Sequence, residues 1–297
     1  PADFTIFENE NGLTVSAADV VKEYDGNSYG VTATARIKNA EIENPNITVK
    51  YWNEKTNAYD LDKSPEYRNV ADTPAVVKFE ASLYGYKSVQ GEATVTINKR
   101  SVLLTSASAS KIYDGTPLIR PDVTIGGDGF VNGEVSDVKA IGSALNVSDK
   151  DVRNEITFTQ KTGYKAENYD IKYEPGTLRI TPIVDEVTIT ITEHSASLKY
   201  NGAEQSVTGY DTAIDNTLYK ETDFTFSGDA TAKGTDFGSY PMNLKAEDFT
   251  NKNKNFANVV FEIVDGQLEI TKRDVELISG SDEKVYDGTP LTKNHIL

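Results

Sequence analysis

The sequence predicts a mostly-β chain organised as an elongated tandem array of small β-rich domains, and three observations carry that expectation. The octapeptide Lys111-Ile112-Tyr113-Asp114-Gly115-Thr116-Pro117-Leu118 returns as Lys284-Val285-Tyr286-Asp287-Gly288-Thr289-Pro290-Leu291. Two shorter copies, Lys22-Glu23-Tyr24-Asp25-Gly26 and Lys199-Tyr200-Asn201-Gly202, complete a series whose tyrosines stand 89, 87 and 86 residues apart. A period of that length holds one small domain, longer than a solenoid unit that needs neighbours to complete its core. Finally, apolar residues alternate with period 2, as in Ile47-Val49-Tyr51 and Val77-Phe79-Ala81-Leu83, which puts one side of a strand in a core and the other in water.

The period divides the 297 residues into repeat 1 at 1–100, repeat 2 at 101–182, repeat 3 at 183–273 and the incomplete start of repeat 4 at 274–297. In repeat 1, Asn53–Asn57 reads as a hairpin loop, and Ala93–Ile97 as a closing strand. Ser16–Lys22 looks locally helical, but its alignment with the strands ahead of the other corners makes it extended. Repeat 2 follows Lys99-Arg100 without a Gly/Ser/Pro spacer, so the junction is short. Gly126–Gly129 marks a turn and Asn154–Thr159 a strand. Asn168–Tyr173 then leads through Pro175-Gly176 into Thr177–Thr181, which reads as a hairpin. Repeat 3 opens on the β-branched run Val187–Thr192 and closes in the same way, with Val259–Ile263, a turn at Asp265-Gly266, and Gln267–Thr271. Lys245–Phe249 is the place for a single helical turn. Residues 274–297 cannot build a core, and are expected to pack on repeat 3 as an added strand or hairpin or to be poorly ordered.

The third corner indicates what the motif does. Asp-Gly and Asn-Gly both suit a tight turn needing positive φ, so the change to Asn201 keeps the backbone property and discards the carboxylate. A metal ligand or general base would have been lost there. The corner is therefore read as a hairpin turn that sets strand register. Lys22, Lys111 and Lys284 correspond to Leu198 in the third copy, which argues against an essential lysine cross-link.

The net charge of −16 disfavours nucleic acid and anionic membrane surfaces as partners. With no cysteine, stability comes from β structure and packing alone. No apolar run approaches the roughly 20 residues that cross a bilayer. A signal and anchor are expected to lie outside this stretch.

The Lys-x-Tyr-Asp-Gly-Thr-Pro-Leu corners at 111–118 and 284–291, Asn168-Tyr169 followed by Gly-Thr-Leu-x-Ile-Thr up to 181, and Asp236-x-Gly238-x-Tyr240 followed by Gly-Gln-Leu-x-Ile-Thr at 266–271 resemble the YDG and MBG-type repeats. The resemblance covers essentially the whole chain. It implies small β-rich domains of β-grasp-like character, with an Ig-like sandwich as the alternative topology, strung through large surface proteins and adhesins of Gram-positive bacteria. It implies no catalytic residues. Repeat 1 departs most, having neither Thr-Pro-Leu nor the Gly-x-Leu-x-Ile-Thr ending.

Chemistry-bearing residues are sparse. His194 and His295 lie in different repeats, and one methionine with no cysteine leaves little for thiol or soft-metal sites. Gly126-Gly127-Asp128-Gly129 lacks the Gly-Lys-Ser/Thr of a phosphate loop. Ser148–Glu155 alternates oxygen-bearing residues that suit Ca²⁺, but Lys150 and Arg153 intrude, and a solvated loop is favoured. Repeat 1 concentrates aromatics: Tyr24, Tyr29, Tyr51, Tyr59, Tyr67, Tyr84, Tyr86 and Trp52. The expectation is thus a monomeric, non-catalytic stalk segment of an extracellular surface protein, without cofactor or metal, its partners the adjacent repeats. The alternative is an adhesive module binding a glycan or host protein through repeat 1.

Overall fold

The computed structural model describes residues 12–38 and 46–293. The protein is mostly β. Its helical elements among the described residues are single 3₁₀ turns: Val70–Asp72, Val147–Asp149, Ala166–Asn168, Glu221–Asp223 and Ala246–Asp248. The last is the helical turn expected within 245–249. Around Ser16–Lys22 the chain is extended, in strands Leu13–Ser16 and Val20–Glu23. Residues 274–293 contain no strand, and Val275, Leu277 and Val285 are exposed. His295 lies outside the described residues.

Every sheet is drawn from a single stretch of chain. In the first, the order is Val20–Glu23, Val89–Asn98, Ala75–Ser82, Thr48–Asn53, Ala58–Leu61, and Leu13–Ser16 pairs separately with Thr34–Ile37. Asn53–Asn57 closes the hairpin between Thr48–Asn53 and Ala58–Leu61. In the second stretch, Arg100–Ser106 lies between Val123–Gly127 and Tyr169–Glu174, while Thr177–Thr181 lies between Val152–Arg153 and Ala109–Ile112. The third repeats that plan. Val187–Glu193 lies between Tyr210–Ile214 and Val259–Val264, and Gln267–Thr271 between Ala196–Lys199 and Gly238–Pro241. Alternation does what the sequence requires of it: Val187, Ile189 and Ile191 face inward from one sheet, Leu268 and Ile270 from the other, and together they form one core.

Two expected hairpins are not hairpins. Tyr169–Glu174 and Thr177–Thr181 belong to different sheets, and Tyr169–Glu174 instead runs parallel to Arg100–Ser106. Likewise Val259–Val264 runs parallel to Val187–Glu193, and Gln267–Thr271 runs parallel to Ala196–Lys199. The intervening Pro-Gly and Asp-Gly carry the chain across from one sheet to the other. The crossing is held from inside: Glu193, 3% exposed, accepts the Leu244 N–H at 2.6 Å and the Gly266 N–H at 2.7 Å. Ser106 does the same in repeat 2, its hydroxyl oxygen accepting the Gly176 N–H at 3.0 Å. The backbone passes so close that a Cβ on Gly266 would stand 2.5 Å from Glu193 O. Sequence periodicity marks these strands but not their partners, so hairpin composition at these turns conceals a crossing between sheets.

The corners differ from the hairpin expectation too. Ala109–Ile112 and Leu118–Ile119, on either side of Asp114-Gly115, pair with different strands.

The described chain forms two compact units. One comprises residues up to 110 with 117–144 and 151–179; the other comprises 111–116, 145–150 and 180 onward. The core of the first crosses the repeat boundary, since Val77, Phe79 and Val95 are continuous with Val102, Leu104 and Tyr169. The core of the second is built on Ile189, Ile191, Tyr219, Phe256, Leu268 and Ile270.

Gly266→Ala is expected to destabilise the second unit by about 1–3 kcal/mol through overpacking. Glu193→Leu should cost about 2–4 kcal/mol by orphaning two buried N–H groups. Denaturant unfolding of each variant checks both values.

Candidate functional site

At two of the four corners, those of Tyr24 and Tyr113, the structure puts the tyrosine to use. At all four corners a side-chain oxygen accepts the N–H two residues on: Asp25 from Asn27 at 2.9 Å, Asp114 from Thr116 at 2.9 Å, Asn201 from Ala203 at 2.8 Å and Asp287 from Thr289 at 3.0 Å. The following glycine alone takes positive φ, between 76° and 84° across the four. Asparagine supplies the same acceptor, so Asn201 preserves the turn. The Lys111 ammonium, with the Thr116 N–H and hydroxyl, holds Asp114 at about 2, and Lys284 does the same for Asp287.

At the first corner the turn projects the preceding ring into a socket. Tyr24 is 1% exposed. Its ring meets Tyr169 edge-on at 5.5 Å, and Tyr169 is in turn stacked on Tyr164 and packed by Phe130. The Tyr24 and Tyr169 hydroxyls both donate to buried Glu134, at 2.5 and 2.6 Å, and the Arg68 guanidinium stands 3.7 Å from the same carboxylate. A buried carboxylate is tolerable only when so partnered. Beside the rings, Asn168 fastens a second point. Its Oδ1 accepts the Val70 N–H at 2.9 Å, and its Nδ2 donates to Asn69 Oδ1 at 3.2 Å, pinning the start of the 3₁₀ turn Val70–Asp72.

The second unit contains the same arrangement. The Tyr113 ring meets Phe256 edge-on at 5.8 Å, and Phe256 is backed by Tyr219. Asn255 Oδ1 accepts the Val147 N–H at 2.8 Å, and its Nδ2 donates to Asn146 Oδ1 at 3.0 Å. Gly115, Leu218 and Lys252 line the hollow around Tyr113. Here Phe256 replaces the phenol of Tyr169, so the ring contact and the asparagine clamp constitute the shared joint, and the Glu134 centre is an addition of the first. In repeat 3 the corresponding features part company. Gly234 takes the place of Asn69 and Asn146, counting back from Tyr240 and Val152, which lie opposite Leu268 and Leu178. Tyr200 is 39% exposed.

The other sequence candidates do not converge. In the stretch Ser148–Glu155, Asp149 accepts the Leu145 and Asn146 N–H groups and Asp151 pairs with Arg179. Among the described residues no three potential metal ligands cluster. His194 packs against Thr208 O and Asp211, which raise its pKa. The aromatics of repeat 1 are dispersed: Tyr24 and Tyr51 are buried, Tyr29 bridges to Tyr67, Trp52 meets Tyr59, and Tyr84 is exposed. The joint was missed although its signal is in the sequence. Tyr occupies every corner while Lys and Asp vary. Asn-Val-x-Asp occurs at 69–72 and 146–149, and Asn followed by an aromatic at 168–169 and 255–256.

No family model matches the chain, and no curated protein matches it significantly. Among solved structures, the I9–I11 tandem of titin is similar over 88% of this chain and 100% of its own, at 8% identity and a TM-score of 0.25. Immunoglobulin domains 1–5 of Sidekick-1 are similar over 88% of this chain and 59% of theirs, at 10% identity and 0.22. The N-terminal eight Ig domains of Down Syndrome Cell Adhesion Molecule follow, over 90% and 42%, at 10% and 0.20. The chain thus spans less than two thirds of the last two. TM-scores this low leave the description of the fold to the strand pairing itself.

Tyr24→Ala is expected to cost about 3–5 kcal/mol in the first unit, and Asn168→Ala about 1–3 kcal/mol by stranding the Val70 N–H; denaturant titration measures both. Burial, reinforced by Glu134, raises the pKa of Tyr24 and of Tyr169. Their folded values lie above the unfolded value of about 10, so this stabilisation is complete below about pH 10 and is lost as pH climbs through the folded values. Absorbance titration of phenolate should show both tyrosines ionising only as the first unit unfolds.

Proposed function

We propose that the chain is a non-catalytic spacer segment of an extracellular bacterial surface protein assembled from YDG/MBG-type repeats. The observation that carries this reading is the joint itself. The chemistry its two occurrences share lies where one repeat meets residues of the next, spent on fastening and not on a cleft. Tyr24 with Asn168, and Tyr113 with Asn255, use the same ring contact and the same pair of amide hydrogen bonds. A spacer needs this and little else: small β domains, short connections that resist bending, and an acidic surface that keeps copies apart. The extracellular setting rests on the sequence resemblance.

One observation favours the alternative of an adhesive repeat 1. Trp52 and Tyr59 meet edge-on at 5.0 Å on the hairpin Thr48–Leu61, on the sheet face opposite to buried Tyr51. Partly exposed rings on a sheet face suit stacking against a neutral sugar.

Small-angle scattering tests the spacer. The expected outcome is a particle on the order of 100 Å long, from repeats whose compact radius of gyration is about 12 Å. The double variant Tyr24→Ala/Asn168→Ala should broaden its distance distribution. A compact globule would overturn the reading. A glycan array in which the wild type binds and Trp52→Ala does not would transfer the function to repeat 1.

A further inference from the structure

Fastening leaves part of the second joint unused. Tyr113 and Asn255 border an open hollow of about 800 Å³ within the second unit. Lys220, Lys252 and Lys254 also line it, in a chain whose net charge is −16. The one carboxylate of that lining is already engaged, since Asp223 Oδ2 accepts the Lys220 N–H at 2.8 Å. Lys220 Nζ donates to Thr217 O at 2.6 Å and keeps two further N–H groups. Among the described residues the ammonium groups of Lys252 and Lys254 have no ion-pair or hydrogen-bond partner. The backbone that carries them is fixed. The Lys252 N–H donates to Asp223 O at 2.7 Å, and Asn253 Oδ1 accepts the Asn255 N–H at 3.0 Å.

The joint of the first unit shows which of these groups fastening does not need. Asn69 and Asn168 correspond to Asn146 and Asn255 through their shared hydrogen bonds. Val131 corresponds to Leu218, because a Cβ on Gly26 would press on the one and a Cβ on Gly115 on the other. Counting from these anchors, Ala71, Phe130 and Glu167 of the first unit become Ser148, Thr217 and Lys254 of the second. None of them belongs to the clamp. Phe130 packs against Tyr169 at 5.3 Å, whereas Thr217 brings no ring to that place and lines the hollow instead. The three changes act in one direction: two add a hydroxyl, and the third turns a carboxylate into an ammonium.

We propose that this hollow binds one acidic sugar residue, a pyranose that carries a single carboxylate or sulfate. Unpartnered ammonium groups attract the anion, and lysine, which lacks the planar fork of arginine, takes carboxylate and sulfate alike. The hydroxyls of Ser148, Thr217 and Thr222 have no hydrogen-bond partner among the described residues, and each can donate to or accept from a sugar hydroxyl. Tyr113 and Leu218 present apolar surface to the C–H face of the ring. A long polyanion suits the site less, because outside the hollow it meets the repulsion of a molecule at −16. A single acidic residue on an otherwise neutral glycan brings only the charge that the lysines neutralise. For one sugar in an open site the dissociation constant falls at about 1–10 mM and rises with salt. The inference rests on the lining of this hollow, and neither on the spacer reading nor on the rings of repeat 1.

Backbone-amide NMR titration of the full chain tests it, with glucuronic acid, galactose 6-sulfate, galactose and inorganic sulfate each taken to about 50 mM at constant low ionic strength, above the expected constant. One or both acidic sugars should shift the amides of Asn253 and Lys254 saturably, and the arm that does so names the anionic group. Galactose and inorganic sulfate should bind at least about tenfold more weakly. Lys254→Glu and Ser148→Ala each install the residue that the first unit has at that place, at an exposed position, so the thermal midpoint should hold. The first should raise the dissociation constant about tenfold and the second about threefold. No saturable shift with either acidic sugar overturns the proposal. So does equal binding of galactose, equal binding of inorganic sulfate, which marks an adventitious ion only, or an affinity that neither substitution changes.

Discussion

A ring that leaves its own repeat to be buried against another ring is the constraint on which the rest of this structure depends. A β domain of fewer than a hundred residues has a high ratio of surface to core and leaves apolar area uncovered. Tyr24 and Tyr113 put that area to use. Tyr24, fully buried, contributes about 1.5–3 kcal/mol, a large fraction of what a domain this size retains after its entropy cost, and the half-buried Tyr113 contributes less. The core of the first unit accordingly does not stop at residue 100 but continues from Phe79 and Val95 into Val102, Leu104 and Tyr169. The corner turn serves this purpose, because the Asx acceptor and the positive-φ glycine fix the direction in which the preceding ring points.

The polar half of the joint supplies direction that ring packing lacks. Edge-on aromatic contacts tolerate a spread of geometries, whereas an asparagine bonding at once to a backbone N–H and to a second asparagine fits one register. Asn168 and Asn255 do this with the same partners, the first residue of a 3₁₀ turn and the asparagine ahead of it. The Glu134 centre goes further. Two phenols and the Arg68 guanidinium are needed to hold one carboxylate in a dry place, so loss of any of them is felt by the others. Phe256 in the second unit dispenses with this network.

How much of this was legible in the sequence follows from what periodicity encodes. Alternation in Val77–Ala81 and Val187–Ile191 names strands and their inward faces, because side-chain direction is a local property. The corners were legible as turns for the same reason. Strand partners are not local. Pro175-Gly176 and Asp265-Gly266 have hairpin composition but mark crossings between sheets, and only the buried acceptors Ser106 and Glu193, some seventy residues upstream, decide the matter. The aromatics of repeat 1 could be counted from sequence, yet Tyr24 belongs to a socket built around Tyr169, a relation that composition does not carry.

The parallel pairing at the start of each later repeat also bears on what happens when the chain is stretched. Arg100–Ser106 and Val187–Glu193 enter repeats 2 and 3, and each lies alongside a strand from near the exit, Tyr169–Glu174 or Val259–Val264, running in the same direction. Tension that draws entry and exit apart slides one strand along the other, so the rungs between them are loaded together in shear instead of peeling one by one. A domain wired this way resists force through its kinetics of rupture and not through its equilibrium stability. Disulfide-free β units can thereby transmit load between their ends.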